Sequence, residues 1–282
     1  MTDWTDGLIL EIVIKGEARF PCHFFRRDNM KKALMKIISA GLVMGMMVSA
    51  TACSKKKAGQ LVMATNAYFE PYEYHQDGKI VGIDVEIAEA IAKKLDMELK
   101  IEDVEFDSII AGVQSKKYDI GMAGMTVRPD RLESVNFSDS YATGIQAVIV
   151  KEDSGITDLD ALLEGDYKIG VQQGTTGDIY MTEDPMVGDA RVVRFTKGND
   201  AVLALSSGKV DAVVIDNEPA KHFVEATGGL TILPTFYAEE EYAICVNKED
   251  TELLEKINKA LRELKEDGTI AAIIEKYIPS EG

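Results

Sequence analysis

The chain has 282 residues, and its 48 aspartates and glutamates against 31 lysines and arginines give a formal net charge of −17. Such an acidic surface repels phosphates, which argues against nucleic acid as a partner. The 46% hydrophobic and 28% charged residues are typical of a globular protein and argue against a multi-span membrane protein. The three cysteines, at positions 22, 53 and 245, are too far apart for a zinc site. We therefore expect neither a metal nor another cofactor.

The N-terminal segment has the pattern of a secretory signal. Basic residues lead into an uncharged apolar run at 37–52 that ends directly before Cys53. This pattern predicts a signal peptide over residues 30–52, because the run is shorter than the ~20 residues of a membrane-spanning helix. Signal peptides begin at their basic segment, so we expect translation to start at Met30 and residues 1–29 to lie upstream of the true start.

The residues around the predicted cleavage site indicate a lipid anchor. The sequence Ala-Thr-Ala-Cys at 50–53 resembles the lipobox of bacterial lipoproteins. The resemblance implies that Cys53 is acylated, with palmitate as the expected chain, and tethers the mature protein to the outer face of the bacterial membrane. Residues 53–60 then form a flexible tether. The alternative is cleavage by the ordinary signal peptidase, which leaves a free soluble protein.

Beyond the tether, short β-rich runs alternate with helical patterns, which predicts α/β units with largely parallel sheets. In a first series, Asp84 and Asp107 are the expected N-caps of two helices. A second series repeats the alternation of strand and helix. The predicted elements are strands 61–64, 101–104 and 118–122 in the first series, then strand 168–171, helix 200–207 and strand 210–215 in the second.

Two extended apolar runs, 144–150 and 242–246, flank the second series and suit strands that cross between two lobes. The C-terminal helices are expected to return to the first lobe. The predicted first lobe therefore consists of residues 61–146 and 240–282, and the second lobe of residues 147–239.

Polar residues of particular types follow the predicted strands. Gly124 allows another group to approach the backbone closely, and Thr126 supplies a hydroxyl. Arg131 supplies a planar guanidinium that fits a carboxylate. The glycine and threonines at 174–177 precede a helix, where free N–H groups bind anions. A phosphate loop is the rival interpretation, but the Gly-Lys-Ser/Thr ending is missing. Asp216 ends another strand, and a carboxylate opposite a guanidinium complements a zwitterion.

These motifs, in this order, resemble the bacterial extracellular solute-binding proteins of family 3, the amino-acid receptors of ABC importers. The resemblance covers residues 61–277. It implies an α/β, two-lobed periplasmic-binding-protein-like fold of type II, with two α/β lobes that are joined by two crossover strands and close by a hinge. It also implies a monomeric, extracytoplasmic receptor without enzyme activity, whose partners are an amino acid and the permease and ATPase subunits.

The resemblance assigns a role to each candidate site residue. Arg131 clamps the α-carboxylate of the ligand with help from its neighbours and from Thr176, and Asp216 accepts the α-ammonium group. Two phenylalanines form aromatic walls, while an asparagine and a glutamine line the side-chain pocket. The full predicted set is Asn66, Phe69, Phe106, Ala123, Gly124, Thr126, Arg131, Gln172, Thr176 and Asp216.

The ligand is less defined than the fold. Several family members place Asp at the position of Asn66, and the amide removes that charge, so a neutral polar ligand such as glutamine or cystine is expected ahead of basic amino acids. Two other functions stay open. One is a dehydratase-like enzyme on the same fold, with Glu70 or Glu218 as acid or base. The other is a ligand-sensing domain, against which the absence of a later membrane segment or signalling domain argues.

Overall fold

A computed structural model describes residues 59–234 and 237–280. The predicted start at Met30, the signal peptide, the acylation of Cys53 and nearly all of the tether lie outside the described residues. Within those described ranges, none of the helices is both long and apolar enough to cross a bilayer.

The described chain alternates strands and helices. The strands are β1 (Gln60–Thr65), β2 (Tyr68–Phe69), β3 (Glu73–Gln76), β4 (Lys79–Val81), β5 (Glu98–Asp103), β6 (Ile120–Gly121), β7 (Val135–Phe137), β8 (Ala142–Lys151), β9 (Ile169–Gln172), β10 (Val192–Phe195), β11 (Ala212–Asp216), β12 (Leu230–Ile232), β13 (Ala238–Tyr242) and β14 (Cys245–Asn247). The α-helices are α1 (Ile83–Lys94), α2 (Ile109–Gln114), α3 (Pro129–Leu132), α4 (Leu159–Glu164), α5 (Thr176–Glu183), α6 (Gly198–Ser206), α7 (Asn217–Thr227), α8 (Thr251–Glu266) and α9 (Thr269–Tyr277). Short 3-10 helices span Phe106–Ser108 and Asp189–Arg191.

The first lobe is built on a five-stranded sheet in the order β5-β1-β6-β14-β7. Strand β1 is parallel to β5 and β6, and it is apolar on both faces because both faces are covered. Leu61 and Met63 pack with α1, α8 and α9, whereas Val62 and Ala64 pack with α2. The C-terminal helices α8 and α9 therefore pack against the first sheet. Strands β2, β3 and β4 form a separate small sheet, and they directly precede α1 in the chain.

The second lobe is built on a six-stranded sheet in the order β10-β9-β11-β8-β12, with β13 also paired to β8. Strand β8 is long enough to pair with β13 along its first half and with β12 along its second half. Its side chains alternate between two cores, Val148 and Val150 facing α4 and α5, and Ile149 facing α6 and α7.

The chain passes between the sheets twice. It leaves the first sheet after β7 and enters the second at Ala142, and it returns between Tyr242 and Cys245. The predicted two-lobed α/β fold with two crossover strands is confirmed. The predicted run 242–246 is divided between β13 and β14, and the proposed lobe limits at 146 and 240 fall inside β8 and β13; those limits stay predictions.

Two predicted helix caps are wrong. Gly82 occupies the N-cap of α1, and Asp84 is buried in the first turn, where its Oδ2 accepts from the N–H of Gly124 at 2.9 Å and from the hydroxyl of Tyr141 at 2.8 Å. Asp107 lies in a 3-10 helix ahead of α2, and its Oδ2 accepts from Nε2 of Gln173 at 2.7 Å. Both aspartates fit the sequence pattern of a helix N-cap, but their carboxylates accept hydrogen bonds from residues far away in the chain instead.

Candidate functional site

The residues predicted to act together lie where strands of both sheets end. Asn66 follows β1, Phe106 follows β5, and Thr126 follows β6 in the first lobe. Gln172 ends β9 and Asp216 ends β11 in the second lobe. Parallel strands of open α/β sheets bring their carboxyl ends to one edge. The two edges face each other across the cleft between the lobes.

One narrow cavity in this cleft is lined by all ten residues predicted from the sequence. Three further lining residues are Glu73, Thr175 and Ile215. The cavity volume is about 20 Å³, which is room for about one water molecule. An amino acid enters only if the lobes first move apart.

Arg131 is the central cation of this cavity. Its side chain is buried, with 5% of the residue exposed, and its guanidinium lies 5.5 Å from the ring of Phe106. Nη1 donates to the carbonyl of Thr126 at 2.9 Å, and Nη2 donates to the carbonyl of Gly174 at 3.1 Å. A guanidinium has five N–H donors, so further donors are left for an anion.

No carboxylate among the described residues forms an ion pair with Arg131. Burial lowers the pKa of this guanidinium from its ordinary value. A buried cation without a paired anion costs free energy. The site is therefore arranged to gain stability when it takes up a carboxylate.

Asp216 supplies the opposite charge from the second lobe. It stands at the N-cap position of α7, but its side chain makes no capping hydrogen bond. Instead it accepts from Nε2 of Gln146 at 2.8 Å and from the hydroxyl of Tyr242. Burial, and then the negative charge of Glu240, raise the pKa of Asp216 well above its usual range. A cationic group in the cavity would favour the ionised form.

Thr176 begins helix α5 on the second lobe. Its hydroxyl donates to Oε2 of Glu240 at 3.0 Å and accepts from Nε2 of Gln146 at 3.3 Å. The preceding Thr175 is the N-cap, and its hydroxyl accepts from the N–H of Asp178 at 3.4 Å. The remaining N–H groups of this helix start carry the partial positive charge that attracts anions.

Aromatic rings and amides line another part of the cavity. Phe69 and Phe106 provide the two rings. Asn66 donates from Nδ2 to the carbonyl of Val104 at 2.8 Å, and its Oδ1 accepts from Nε2 of Gln172 at 2.9 Å. The last contact crosses between the lobes, which fixes the orientation of both amides.

Gly124 is required by its surroundings. Its φ is 52°, and a Cβ atom built there would lie 2.7 Å from Cε1 of Phe69. Any other residue would strain the turn and displace the ring. The glycine thus links the first-lobe turn to the aromatic wall.

The lobes touch across the cleft through their own side chains. Arg131 reaches Gly174, and Gln172 reaches Asn66, as described above. At the rim, Nζ of Lys197 lies 3.6 Å from the centre of the Tyr68 ring. These contacts make the described arrangement a closed one.

Sequence reasoning missed two buried acids at or beside the cavity. Glu73 is 1% exposed, and burial followed by the charge of Asp84 raises its pKa well above the usual range. Glu240 is 3% exposed between the exposed Glu239 and Glu241. A run of three glutamates is typical of a solvated strand. Only the alternation of β13, which turns the middle residue inward, could have indicated the difference.

A larger cavity of about 500 Å³ lies beside the crossover strands. It is lined by residues 140–145 and shares Asp216 and Tyr242 with the neighbourhood of the cleft, but its only lysine or arginine among the described residues is Lys265. Lys265 is exposed and already donates to the carbonyl of Ser140. This cavity is therefore a weaker candidate for binding a carboxylate than the cleft, where the cation is buried. No cluster of metal-binding side chains occurs in the described ranges.

Comparisons with known proteins agree on one family. The family model of the bacterial extracellular solute-binding proteins, family 3, matches residues 61–280. The chain is 33% identical to the arginine-binding extracellular protein ArtP of Bacillus subtilis (strain 168), over 89% of this chain and 100% of that protein. It is 28% identical to the L-cystine-binding protein TcyJ of Escherichia coli (strain K12), over 89% of this chain and 96% of that protein. A solved structure, of an ancestral arginine-binding protein bound to glutamine, matches with a TM-score of 0.73 and 40% identity, over 80% of this chain and 100% of that chain.

Proposed function

The chain belongs to the bacterial extracellular solute-binding proteins, family 3, and we propose that it captures an amino acid between its lobes and presents it to the permease of an ABC importer. One observation carries the proposal: a buried guanidinium that pairs with no carboxylate among the described residues faces the same cavity as a buried carboxylate from the other lobe. A zwitterion complements both. The receptor function is that of the relatives, which are named as amino-acid-binding proteins.

In the proposed complex, the α-carboxylate pairs with the free N–H groups of Arg131 and the N–H groups at the start of α5. The α-ammonium group pairs with Asp216. Both contacts form away from water, where a charge-assisted hydrogen bond is stronger than at the surface. The lobes must open to admit the ligand and close to complete the contacts.

The uncharged Asn66 favours glutamine or cystine on the sequence alone, but the names of the relatives lead us to propose arginine first, followed by glutamine and cystine. The relatives named above bind arginine or L-cystine, or were solved with glutamine. A guanidinium stacks well on aromatic faces, and Phe69 and Phe106 supply two of them. Asn66 Oδ1 accepts a hydrogen bond but carries no charge, so a neutral amide side chain also fits this end.

Binding is favoured over catalysis by the position of the candidate acids. Glu70 and Glu218 do not line the cavity in the described structure. Glu218 accepts from Nζ of Lys221 at 2.8 Å, and Glu70 lies near His222 at the surface. Neither is placed to exchange a proton with a bound amino acid.

We also propose that the mature receptor is anchored through an acylated Cys53 on the outer face of the bacterial membrane. The lipobox-like sequence at 50–53 supports this location. An anchored receptor stays close to its permease, which raises the local concentration of loaded receptor.

A thermal-shift screen of all amino acids and cystine tests the function, because a ligand that binds only the folded state raises the unfolding temperature. The protein used begins at residue 54 and is first stripped of carried-over ligand. We expect a shift with at least one polar amino acid, and calorimetry should show one molecule bound. If no amino acid raises the unfolding temperature, the proposed function is wrong, and turnover of an amino acid would identify an enzyme instead.

Arg131→Ala gives the matched test of the site. We expect the binding free energy to weaken by about 3 kcal/mol, or about 100-fold, because the desolvated ligand carboxylate loses its charged partner. Arg262→Ala is the control, since Arg262 is exposed and pairs with Asp139 at 3.0 Å away from the cleft. Equal affinity of the two variants would remove Arg131 from the site.

A further inference from the structure

Glu240 joins both lobes through a single carboxylate oxygen. Its Oε2 accepts from the hydroxyl of Thr126 at 2.9 Å, from the hydroxyl of Thr176 at 3.0 Å and from Nε2 of Gln146 at 3.2 Å. Glu240 itself does not line the cavity. It therefore lies behind the two hydroxyls rather than beside a bound ligand.

The three donors come from different parts of the fold. Thr126 belongs to the first lobe, after β6, and Thr176 belongs to the second lobe, at the start of α5. Gln146 lies on β8, and Glu240 lies on β13, so the acceptor and one donor are on the paired crossover strands. One atom of the hinge region thus connects the opposing walls of the cleft.

The bridge depends on all of its donors. Each threonine hydroxyl has one proton, which it gives to Glu240 in this arrangement. The other oxygen of Glu240, Oε1, is buried and has no hydrogen-bond partner among the described residues. A buried carboxylate is costly without donors, so Oε2 has to retain them while the cleft is closed.

The charges around Glu240 set the strength of the bridge. Arg131 is the nearby cation and interacts favourably with it, whereas Asp216 is a nearby acid. Hydrogen bonds to a charged acceptor are about twice as strong as neutral ones. The contacts to Thr126 and Thr176 are therefore worth more than ordinary hydroxyl contacts.

We infer that Glu240 is a positioning residue that holds the lobes closed in the absence of an amino acid, by bridging Thr126 to Thr176. The inference rests on the proposed function, since it describes how the same site is regulated. Opening the cleft separates the two threonines and leaves Glu240 with at most one of their hydroxyls. The bridge therefore favours the closed form in the protein alone, and the amino acid supplies the remaining free energy of closure.

Small-angle scattering of the ligand-free protein tests the inference. We expect Glu240→Ala and Glu240→Gln to have a larger radius of gyration than the wild type, because the bridge is lost or loses its charge. Glu239→Gln and Glu241→Gln are the controls, since these glutamates are exposed on the same strand, and both should match the wild type. Circular dichroism melting confirms that each variant is folded.

Thr176→Val provides a second route if the Glu240 variants do not fold. It removes the second-lobe hydroxyl at nearly constant volume, and the ligand-free protein should again expand. The double variant with Glu240→Ala should expand no more than either single variant, because the same bridge is removed.

Affinity gives an independent readout. A less populated closed form lowers the apparent affinity, so we expect Glu240→Gln to bind the amino acid found in the screen about tenfold more weakly. An unchanged ligand-free radius in the folded Glu240 variants overturns the inference. Tighter binding with an unchanged radius overturns it as well and makes Glu240 a competitor of the ligand carboxylate. The scattering needs no ligand, so a screen without any binding amino acid would refute the proposed function and leave this result interpretable.

Discussion

Asn66 is the residue that we propose to influence the ligand selectivity of the cleft. Its amide is held by Val104 on one side and by Gln172 on the other. In the proposed complex, the carbonyl oxygen Oδ1, which already accepts from Gln172, also faces the side chain of the ligand. An acceptor without charge suits an amide and a guanidinium about equally, so the choice between glutamine and arginine depends on small differences in free energy.

Asn66→Asp should shift this choice. A carboxylate attracts a guanidinium, so the ratio of arginine to glutamine affinity should rise about tenfold. The variant also loses the hydrogen bond from Nδ2 to Val104, which weakens both ligands. Comparing the two ligands within the same variant by calorimetry cancels that loss, and an unchanged ratio would place residue 66 away from the ligand side chain.

Buried acids at the site give stability a dependence on pH. Burial raises the pKa of Asp84 to about 6 from an ordinary 3.8, against the opposing effect of its hydrogen bonds from Gly124 and Tyr141. Glu73 beside it is shifted in the same direction. The folded state therefore binds protons that the unfolded state has already released.

The direction in which stability changes with pH follows from this difference in proton binding. Because the folded-state pKa of Asp84 is raised, its contribution to stability is complete below pH 3.8 and is lost as the pH rises through about 6. Between pH 3.8 and about 6, the unfolding free energy of Asp84→Asn should therefore decrease less steeply with pH than that of the wild type. The two slopes should differ by at most about 1.4 kcal/mol per pH unit. Urea unfolding at several pH values measures the slope. Asp153→Asn, at an exposed position, should leave the slope unchanged, and an unchanged slope in Asp84→Asn would contradict the assignment.

At the scale of elements, the site is produced by strand ends and the turns that follow them. Strands β1, β5 and β6 are adjacent at one edge of the first sheet, and β9 and β11 are adjacent in the second. Each strand end places at least one residue of the candidate site on a rigid framework. The turn after β6 is the most constrained, since Gly124 lies against Phe69 and its N–H is held by Asp84.

Gly124→Ala tests that constraint. The positive φ and the contact with Phe69 should cost about 1–3 kcal/mol of stability, and the displaced ring should weaken amino-acid binding. Gly155→Ala is the control, because Gly155 has a φ of 74° but no atom within 4 Å of the added Cβ. It should lose stability without losing affinity. Equal affinity of both variants would show that the turn is not coupled to the site.

At the scale of the whole molecule, the lobes are two separately packed units that share two crossings of the chain. Each lobe covers both faces of its own sheet with apolar clusters, and Phe69 of the first lobe also packs against a cluster of the second. Other contacts across the cleft include hydrogen bonds and contacts between cations and aromatic rings. Two well-packed bodies that meet through such contacts are suited to move relative to one another about β8 and β13.

The location of the receptor is a property of the full chain. Cys53→Ala should move the protein from the membrane to the soluble extracytoplasmic fraction, because the cysteine is the only predicted site of acylation. Membrane fractionation with an antibody measures the distribution. A variant whose signal peptide is removed, yet which still sediments with membranes, would rule out the lipid anchor at this position.

The alternation of strands and helices, and the order of the polar motifs, were readable from the sequence because they depend on local periodicity. Residues such as Arg131, Thr176 and Asp216 could be chosen because each follows a predicted strand or begins a helix. The same local rules failed for Asp84 and Asp107. A carboxylate at a helix start looks like a cap, whether or not a distant donor competes for it.

The sequence by itself thus determined the two α/β units and the crossings between them, and its resemblance to a known family supplied the candidate ligand-binding set. Only the tertiary structure decided that the cleft is closed, that Glu73 and Glu240 are buried, and that one oxygen of Glu240 accepts from Thr126 and Thr176, which lie 114 and 64 residues away from it in the chain. The reason is physical. Burial and hydrogen bonding between distant segments depend on how the lobes pack, and the alternation of β13 can indicate which glutamate faces inward but not which donors it meets there.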